Sequence, residues 1–215
     1  MKKYIFFFLF LFQLSFSWAQ LKIIEYKLKN GLTVILNPDS NTNQMTGAVA
    51  VNTGSKNDPT EATGISHYLE HLLFKGTKDL GTVNYEAEKT HLDSIKHLYD
   101  QIAQTKNEEK RAALQQKINK HAVAAGQYTM PNEFDKLLKS IGSTGVNAST
   151  SQDLTIYYND FPVEQIAKWL DIYAHRFQDP VFGSFQSELE VVYEEKNRAM
   201  DNMERRVQEK FSSML

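Results

Sequence analysis

Residues 64–77 read GISHYLEHLLFKGT, and the pattern H-x-x-E-H within them guides the interpretation of the whole chain. On a helix, His67 and His71 are four residues apart, so their imidazoles lie on one face about one turn apart. That spacing suits two ligands of a tetrahedral metal ion. Glu70 lies on nearly the same face, where it can reach a metal-bound water without being a ligand. The stretch therefore predicts two metal ligands and a general base.

Apolar residues around this pattern predict how the helix packs. They recur at helical spacing and form a stripe expected to face the core, namely Ile65, Tyr68, Leu69, Leu72 and Leu73. Gly76 is a residue typical of a helix C-terminus, so the helix is expected to end near it.

The same stretch resembles the signature of the pitrilysin, insulysin and mitochondrial processing peptidase family. In this family H-x-x-E-H is the inverted form of the H-E-x-x-H zinc-peptidase motif. The resemblance implies one Zn²⁺ per catalytic site, bound by His67, His71 and a distant glutamate. It also implies a zinc-dependent endopeptidase acting on peptides or unfolded polypeptide segments, with Glu70 as the general base on a zinc-bound water.

Residues 188–196 read ELEVVYEEK and resemble the family's second signature, in which a glutamate follows a short apolar triplet. A peptidase zinc site usually has three protein ligands, so one more is needed besides the two histidines. Matched residue by residue, Glu195 takes the ligand position. Glu188, two turns earlier on the same face, matches an acidic residue that supports the site in the family. Glu194 stays open as an alternative ligand, because the sequence does not fix the rotation of the helix.

Residues 147–150 read NAST and also resemble a family stretch. In the family it is an edge strand near the metal that pairs with the substrate backbone. The resemblance implies that Asn147 and Ala148 bind the substrate, and that the side chain of Asn147 can add a hydrogen bond. Arg176, in the run AHRFQDP, matches a family arginine that we assign to structure.

The composition is that of a globular protein, with 41% hydrophobic residues, 23% charged residues and no cysteine. Without cysteine, a zinc site must use histidine and carboxylate ligands. The 24 basic and 26 acidic residues give a net charge of −2. This mild acidity, without a basic patch, argues against nucleic acid as a partner.

The first 19 residues are interpreted as a secretory signal peptide. Lys2 and Lys3 form a positive n-region, residues 4–16 are almost wholly apolar, and small residues precede a cleavage point after Ala19. The apolar run is too short to span a bilayer comfortably, so no stable membrane anchor is expected. Cleavage removes two lysines and no acid, which leaves a net charge of −4. The mature protein is expected to be exported, either to the periplasm or out of the cell.

Residues 20–215 predict one α+β domain in which an antiparallel or mixed sheet packs against helices. The Asn-Gly pair at 30–31 indicates a hairpin turn, and residues 46–53 are expected to form a buried strand. Residues 86–127 show helical periodicity broken by a polar turn, which predicts an αα-hairpin inserted into the domain. The histidines of this hairpin are interpreted as solvent-exposed, namely His91, His97 and His121.

Further elements are predicted after the hairpin. They are a helix over 133–140, strands over 146–150 and 155–161, a helix over 162–177 and a final helix from about 185.

Members of the family are larger than this chain. In them paired halves enclose a chamber, and residues of the second half help to hold the substrate. We therefore expect residues 20–215 to be an incomplete, truncated N-terminal catalytic half, completed by a second half in the same full-length chain or in a partner subunit. Two function classes stay open, a zinc endopeptidase and a non-catalytic binding or assembly subunit of a peptidase-like complex. The intact Glu70 favours the enzyme, since a structural site needs no base, although the fragment alone can be inactive.

Overall fold

The computed structural model describes residues 22–201 and 203–212, so the predicted signal peptide at 1–19 lies outside the described residues. The described residues fall into two compact units, which divide between Asn43 and Gln44. Within the described ranges, no helix combines the length and the apolar character that a membrane crossing requires.

A β-hairpin forms the described secondary structure of the first unit. Strands β1 (Ile24–Lys27) and β2 (Thr33–Leu36) pair in antiparallel register. Gly31 has φ +90° in the turn, a left-handed conformation that favours glycine. Asn30 Oδ1 accepts a hydrogen bond from the Leu32 N–H at 3.1 Å, which tightens the same turn. The hairpin predicted from the Asn-Gly pair is confirmed.

The second unit contains a three-stranded antiparallel sheet. Its strands are β3 (Gln44–Val51), β4 (Thr144–Thr150) and β5 (Thr155–Pro162), in the order β3-β5-β4. The central strand β5 buries every second residue, namely Thr155, Tyr157, Asn159 and Phe161. This alternation is the period of a strand with one face on the core.

Strand β3 corrects the expectation of a buried strand at 46–53. The strand is present, but Gly47 is its one buried residue. Strand β3 is an edge strand of this sheet, and alternate residues along it are exposed, so that mainly one face of the strand is covered. A Cβ on Gly47 would come within 2.5 Å of the Trp169 ring. The small side chains of β3 therefore reflect close packing under an aromatic ring, not burial of the whole strand.

The described residues of the second unit also form α-helices. They are α1 (Ile65–Leu72), α2 (Tyr85–Ala103), α3 (Glu108–Gly126), α4 (Glu133–Ser140), α5 (Ile166–Gln178), α6 (Phe185–Asp201) and α7 (Met203–Ser212). The chain is therefore α+β, with antiparallel sheets packed against helices, as predicted.

Helices α2 and α3 form the predicted αα-hairpin, and Asn84 and Asn107 cap their N-termini. A small apolar cluster of Ile95, Leu98 and Ile118 holds them together. Whether the hairpin is an insertion stays a prediction. His97 is exposed, as expected, but His91 and His121 are half-buried, with their Nδ1 atoms 3.2 Å apart. The prediction of solvent exposure is wrong for these two, because they lie where the two helices face each other.

The main core lies between β5 and helices α4 and α5. Its largest members are aromatic or aliphatic, namely Phe134, Leu138, Tyr157, Phe161, Trp169 and Tyr173. Buried Asn159 satisfies two polar groups of this core, since its Oδ1 accepts from Trp169 Nε1 at 2.9 Å and from the Tyr173 hydroxyl at 2.7 Å.

Arg176 is buried in the same core, with 1% of its surface exposed. Its guanidinium lies over four aromatic rings, 4.4 Å from the centroid of Phe74 and 4.7 Å from that of Tyr173, with Phe134 and Tyr157 slightly farther away. Burial lowers the pKa of Arg176 from its ordinary value. These cation–π contacts stabilise a buried cation that has no carboxylate partner among the described residues.

Candidate metal centre

Helix α1 holds the two histidines of the motif side by side. The rings of His67 and His71 have centroids 4.9 Å apart and are nearly perpendicular, with an interplanar angle of 84°. This is the placement that a four-residue helical separation gives.

Asp58 caps the N-terminus of α1 from the preceding loop. Its carboxylate accepts hydrogen bonds from the Gly64 N–H at 2.7 Å, from the Ser66 N–H at 3.0 Å and from the Ser66 hydroxyl at 2.6 Å. Burial raises the pKa of Asp58, but these hydrogen bonds lower it more, so the net shift is downwards. Gly64 at the N-cap has φ +93° and no side chain, so the carboxylate supplies what a capping side chain normally would.

Glu195 reaches both histidines from α6. Its Oε2 lies 3.6 Å from His67 Nε2 and 3.5 Å from His71 Nε2, and the three potential ligand atoms lie within 4.8 Å of one another. Ligands of tetrahedral zinc, bound at about 2.0–2.1 Å, lie about 3.3–3.5 Å apart. The donor set therefore fits such an ion. Among the described residues, this group of three includes Glu195 and not Glu194, the alternative that the sequence left open.

Glu188 lies behind His71, two turns before Glu195 on the same helix. Its Oε2 is 3.4 Å from His71 Nδ1, and its Oε1 forms an ion pair with Lys75. Histidines that bind metal through one ring nitrogen almost always donate the other N–H to a carboxylate or carbonyl. The position of Glu188 is thus the one expected for a residue that supports the site. No sequence pattern predicted the ion pair of Lys75 with Glu188, although Lys75 lies four residues after His71.

Glu70 is separate from the group of three. Its side chain is buried, and its Oε2 accepts a hydrogen bond from the Thr150 hydroxyl at 2.5 Å. The expected apolar stripe of α1 is partly wrong, because Ile65 and Leu69 are 48% and 41% exposed. Helix α1 instead turns Glu70 inwards together with Leu72. This rotation brings the predicted base to strand β4.

A pocket of about 390 Å³ joins these groups, a volume within the range of ligand sites. Its lining is His67, Glu70, His71, Phe74, Lys75, Val146, Asn147, Ala148, Glu188 and Glu195. The predicted substrate-binding residues Asn147 and Ala148 thus lie on the wall of the pocket. Asn147 Oδ1 accepts a hydrogen bond from the Ala148 N–H at 2.9 Å.

The start of α6 is held by two tyrosines. Phe185 packs against Tyr68 of α1 and Tyr99 of α2, with ring centroids 6.1 and 5.4 Å away. The Tyr68 hydroxyl donates to the Phe185 carbonyl, and the Tyr99 hydroxyl donates to Gln186 Oε1. Burial raises the pKa of both tyrosines, with Tyr99 and Glu188 adding to the shift at Tyr68, so the hydroxyls stay protonated donors. No local pattern in the sequence predicted this contact, because it joins segments that are distant in the chain.

Known proteins are similar to this chain in sequence and fold. The chain matches the family described as Insulinase (Peptidase family M16) over residues 33–108 and 97–215. It is 27% identical to the insulin-degrading enzyme of Homo sapiens over 170 residues, which cover 78% of this chain. It is also 27% identical over 189 residues, or 87% of this chain, to a protein of Rickettsia felis named "Uncharacterized zinc protease". A solved protease from Helicobacter pylori superposes on 85% of the chain with a TM-score of 0.58 and 27% identity.

An α+β fold in which an H-x-x-E-H helix meets a distant glutamate defines the class of inverted-motif peptidases. The family match covers well over half of the residues. The chain therefore belongs to the insulinase family of peptidases, and the sequence-based assignment to that family is confirmed. The chain corresponds to the N-terminal part of the members of this family. The chain spans 12% of the length of the human relative, 34% of the Rickettsia relative and 32% of the solved chain.

Proposed function

We propose that the chain is the zinc-binding, catalytic part of an endopeptidase that hydrolyses peptides or unfolded polypeptide segments. The observation behind this proposal is a single pocket where His67, His71 and Glu195 converge, while Glu70 lines the pocket outside that group of three. A structural zinc site normally has four protein ligands and needs no base. The relatives' names, insulin-degrading enzyme and zinc protease, support both the reaction and the metal.

In this proposal His67, His71 and Glu195 hold Zn²⁺, and Glu188 orients His71. The bound ion would supply a Lewis acid for the scissile carbonyl and a coordinated water with a pKa near neutrality. Glu70 accepts a proton from the attacking water and later gives it to the leaving amine nitrogen, so that one water is added across the peptide bond. General-base assistance of this kind is worth about a hundredfold to ten-thousandfold.

Strand β4 supplies the substrate contact in this proposal. It is an edge strand of the described sheet, and its residues Val146, Asn147 and Ala148 line the pocket. An extended peptide can pair with such an edge through main-chain hydrogen bonds, which would lay its backbone along the metal centre. A second peptidase-like half, in a longer chain or a partner subunit, is proposed to close the pocket from the other side.

Cleavage of an unstructured fluorogenic peptide tests this function, with the chain assayed in its full-length protein or together with the proposed second half. We expect cleavage that a chelator abolishes and added zinc restores. Glu70→Gln should retain zinc and lose at least about a hundredfold in kcat. The matched control is Glu194→Gln, which changes an exposed carboxylate next to Glu195 and should keep most of the activity. Chelator-resistant cleavage would contradict the proposal. Zinc binding without any cleavage when the second half is present would favour the non-catalytic binding subunit.

A further inference from the structure

The proposed base has one described hydrogen-bond donor. Glu70 is 7% exposed, and a buried carboxylate is costly unless it is hydrogen-bonded. Within the described parts of the chain, the donor to this carboxylate is the Thr150 hydroxyl, at 2.5 Å from Oε2. This leaves Oε1 without a hydrogen bond from those residues. One carboxylate oxygen is thus anchored, and the other is available to a group in the pocket.

The hydroxyl of Thr150 is itself fixed by the sheet. Thr150 is the last residue of β4 and pairs with Thr155 of β5, and the two side-chain oxygens lie 3.3 Å apart. Thr155 donates its hydroxyl proton to the Thr53 carbonyl at 3.0 Å. Because a hydroxyl has one proton, Thr155 has none left for Thr150 and can only accept from it. The Glu70 carboxylate, at 2.5 Å, is a nearer and stronger acceptor than the Thr155 hydroxyl at 3.3 Å, so the Thr150 proton is directed to Glu70.

We propose that Thr150 is a positioning residue for Glu70, whose hydroxyl holds Oε2 so that Oε1 faces the reacting water. The contact joins the end of a strand to the motif helix, 80 residues apart in the sequence. Placement errors of about 1 Å in a catalytic group can cost about a hundredfold in rate. Losing the anchor should therefore affect turnover more than substrate binding. This inference rests on the proposed peptidase function.

Three substitutions separate the hydroxyl from its surroundings. Thr150→Val keeps the β-branched shape and removes the hydroxyl, Thr150→Ser keeps the hydroxyl, and Thr144→Val makes the same change at an exposed position of the same strand. In peptide cleavage by the zinc-loaded chain, Thr150→Val should lose about tenfold to a hundredfold in kcat with KM and zinc content unchanged. Thr150→Ser and Thr144→Val should stay within about twofold of the wild type. A Thr150→Ser variant as impaired as Thr150→Val would overturn the proposal.

A second readout does not depend on activity. Unfolding of the single and double variants of Thr150→Val and Glu70→Leu, which removes both acceptor oxygens, forms a double-mutant cycle, and we expect the shifts in unfolding midpoint to be clearly non-additive. The corresponding cycle of Thr144→Val with Glu70→Leu should be additive. An additive first cycle would show that the hydrogen bond is absent and would overturn the inference. If the wild type cleaves no peptide while the first cycle is non-additive, the proposed function fails and the contact between Thr150 and Glu70 stands.

Discussion

Asp58 lies outside the H-x-x-E-H motif, but it caps the helix that carries both histidines. Its carboxylate accepts from the Gly64 and Ser66 N–H groups, and both lie at the N-terminus of the helix that holds His67 and His71. A negative charge at this end of a helix is favourable, because unpaired N–H groups and the helix dipole meet there. The orientation of both imidazoles thus depends on a loop residue before the helix.

Asp58→Asn should lower the free energy of unfolding by about 0.3–1 kcal/mol at neutral pH, because asparagine can still accept an N–H group but lacks the negative charge at the helix N-terminus. The pKa of Asp58 is lower in the folded state than the ordinary value of 3.8, so its contribution is complete above the unfolded-state pKa. It is lost as the pH falls through the lower, folded-state pKa. Urea unfolding at several pH values should show a wild-type advantage that shrinks below about pH 4.

The matched control for that experiment is Asp171→Asn, which changes an exposed aspartate on α5. Its effect on unfolding should be small at every pH. A difference between Asp58→Asn and the wild type that persists unchanged into strong acid would show that the charge of Asp58 is not the source of its effect.

At the scale of elements, helix α6 carries both Glu188 and Glu195. None of its own residues is buried. Its alignment depends on its first turn, where Phe185 lies against Tyr68 and Tyr99 and the neighbouring Gln186 accepts from the Tyr99 hydroxyl. The αα-hairpin thus supports the helix that brings the third ligand. This role of the hairpin was not predicted from the sequence.

Phe185→Ala should weaken zinc binding several-fold, because loss of the ring frees the start of α6 and with it the position of Glu195. The free energy of unfolding should fall by about 1–3 kcal/mol, less than for a fully buried phenylalanine since Phe185 is half-buried. Competition with a chromophoric chelator measures the affinity. Phe182→Ala, at a 42% exposed position, is the control and should leave the affinity unchanged. Equal affinities for wild type and Phe185→Ala would show that α6 is aligned by other contacts.

Local patterns in the sequence predicted the elements well and their packing less well. The Asn-Gly turn, the αα-hairpin and the helix at 133–140 depend on residues close in the chain, so their signals are local. The burial of β3 and the rotation of α1 depend on what packs against them, which no local pattern contains. This is why Ile65 and Leu69 are exposed although their spacing indicated a core-facing stripe.

At the scale of the whole molecule, the site joins three distant segments: the motif helix, strand β4 and helix α6. The seven-residue spacing of Glu188 and Glu195 is visible in the sequence because both lie on one face of one helix. The contact of Thr150 with Glu70 was not predicted, since it depends on where a strand ends relative to a helix. Export from the cell stays a prediction, because residues 1–19 lie outside the described residues.

The zinc content of the purified, folded chain tests the central claim most directly, namely that His67, His71 and Glu195 form one metal centre. We predict about one zinc per chain for the wild type and for Glu194→Gln, and a clearly lower content for Glu195→Gln after dialysis against a weak chelator. Elemental analysis together with circular dichroism measures metal and folding on the same sample. A folded wild-type chain without zinc, or a Glu195→Gln variant that retains it as well as the wild type, would contradict this account.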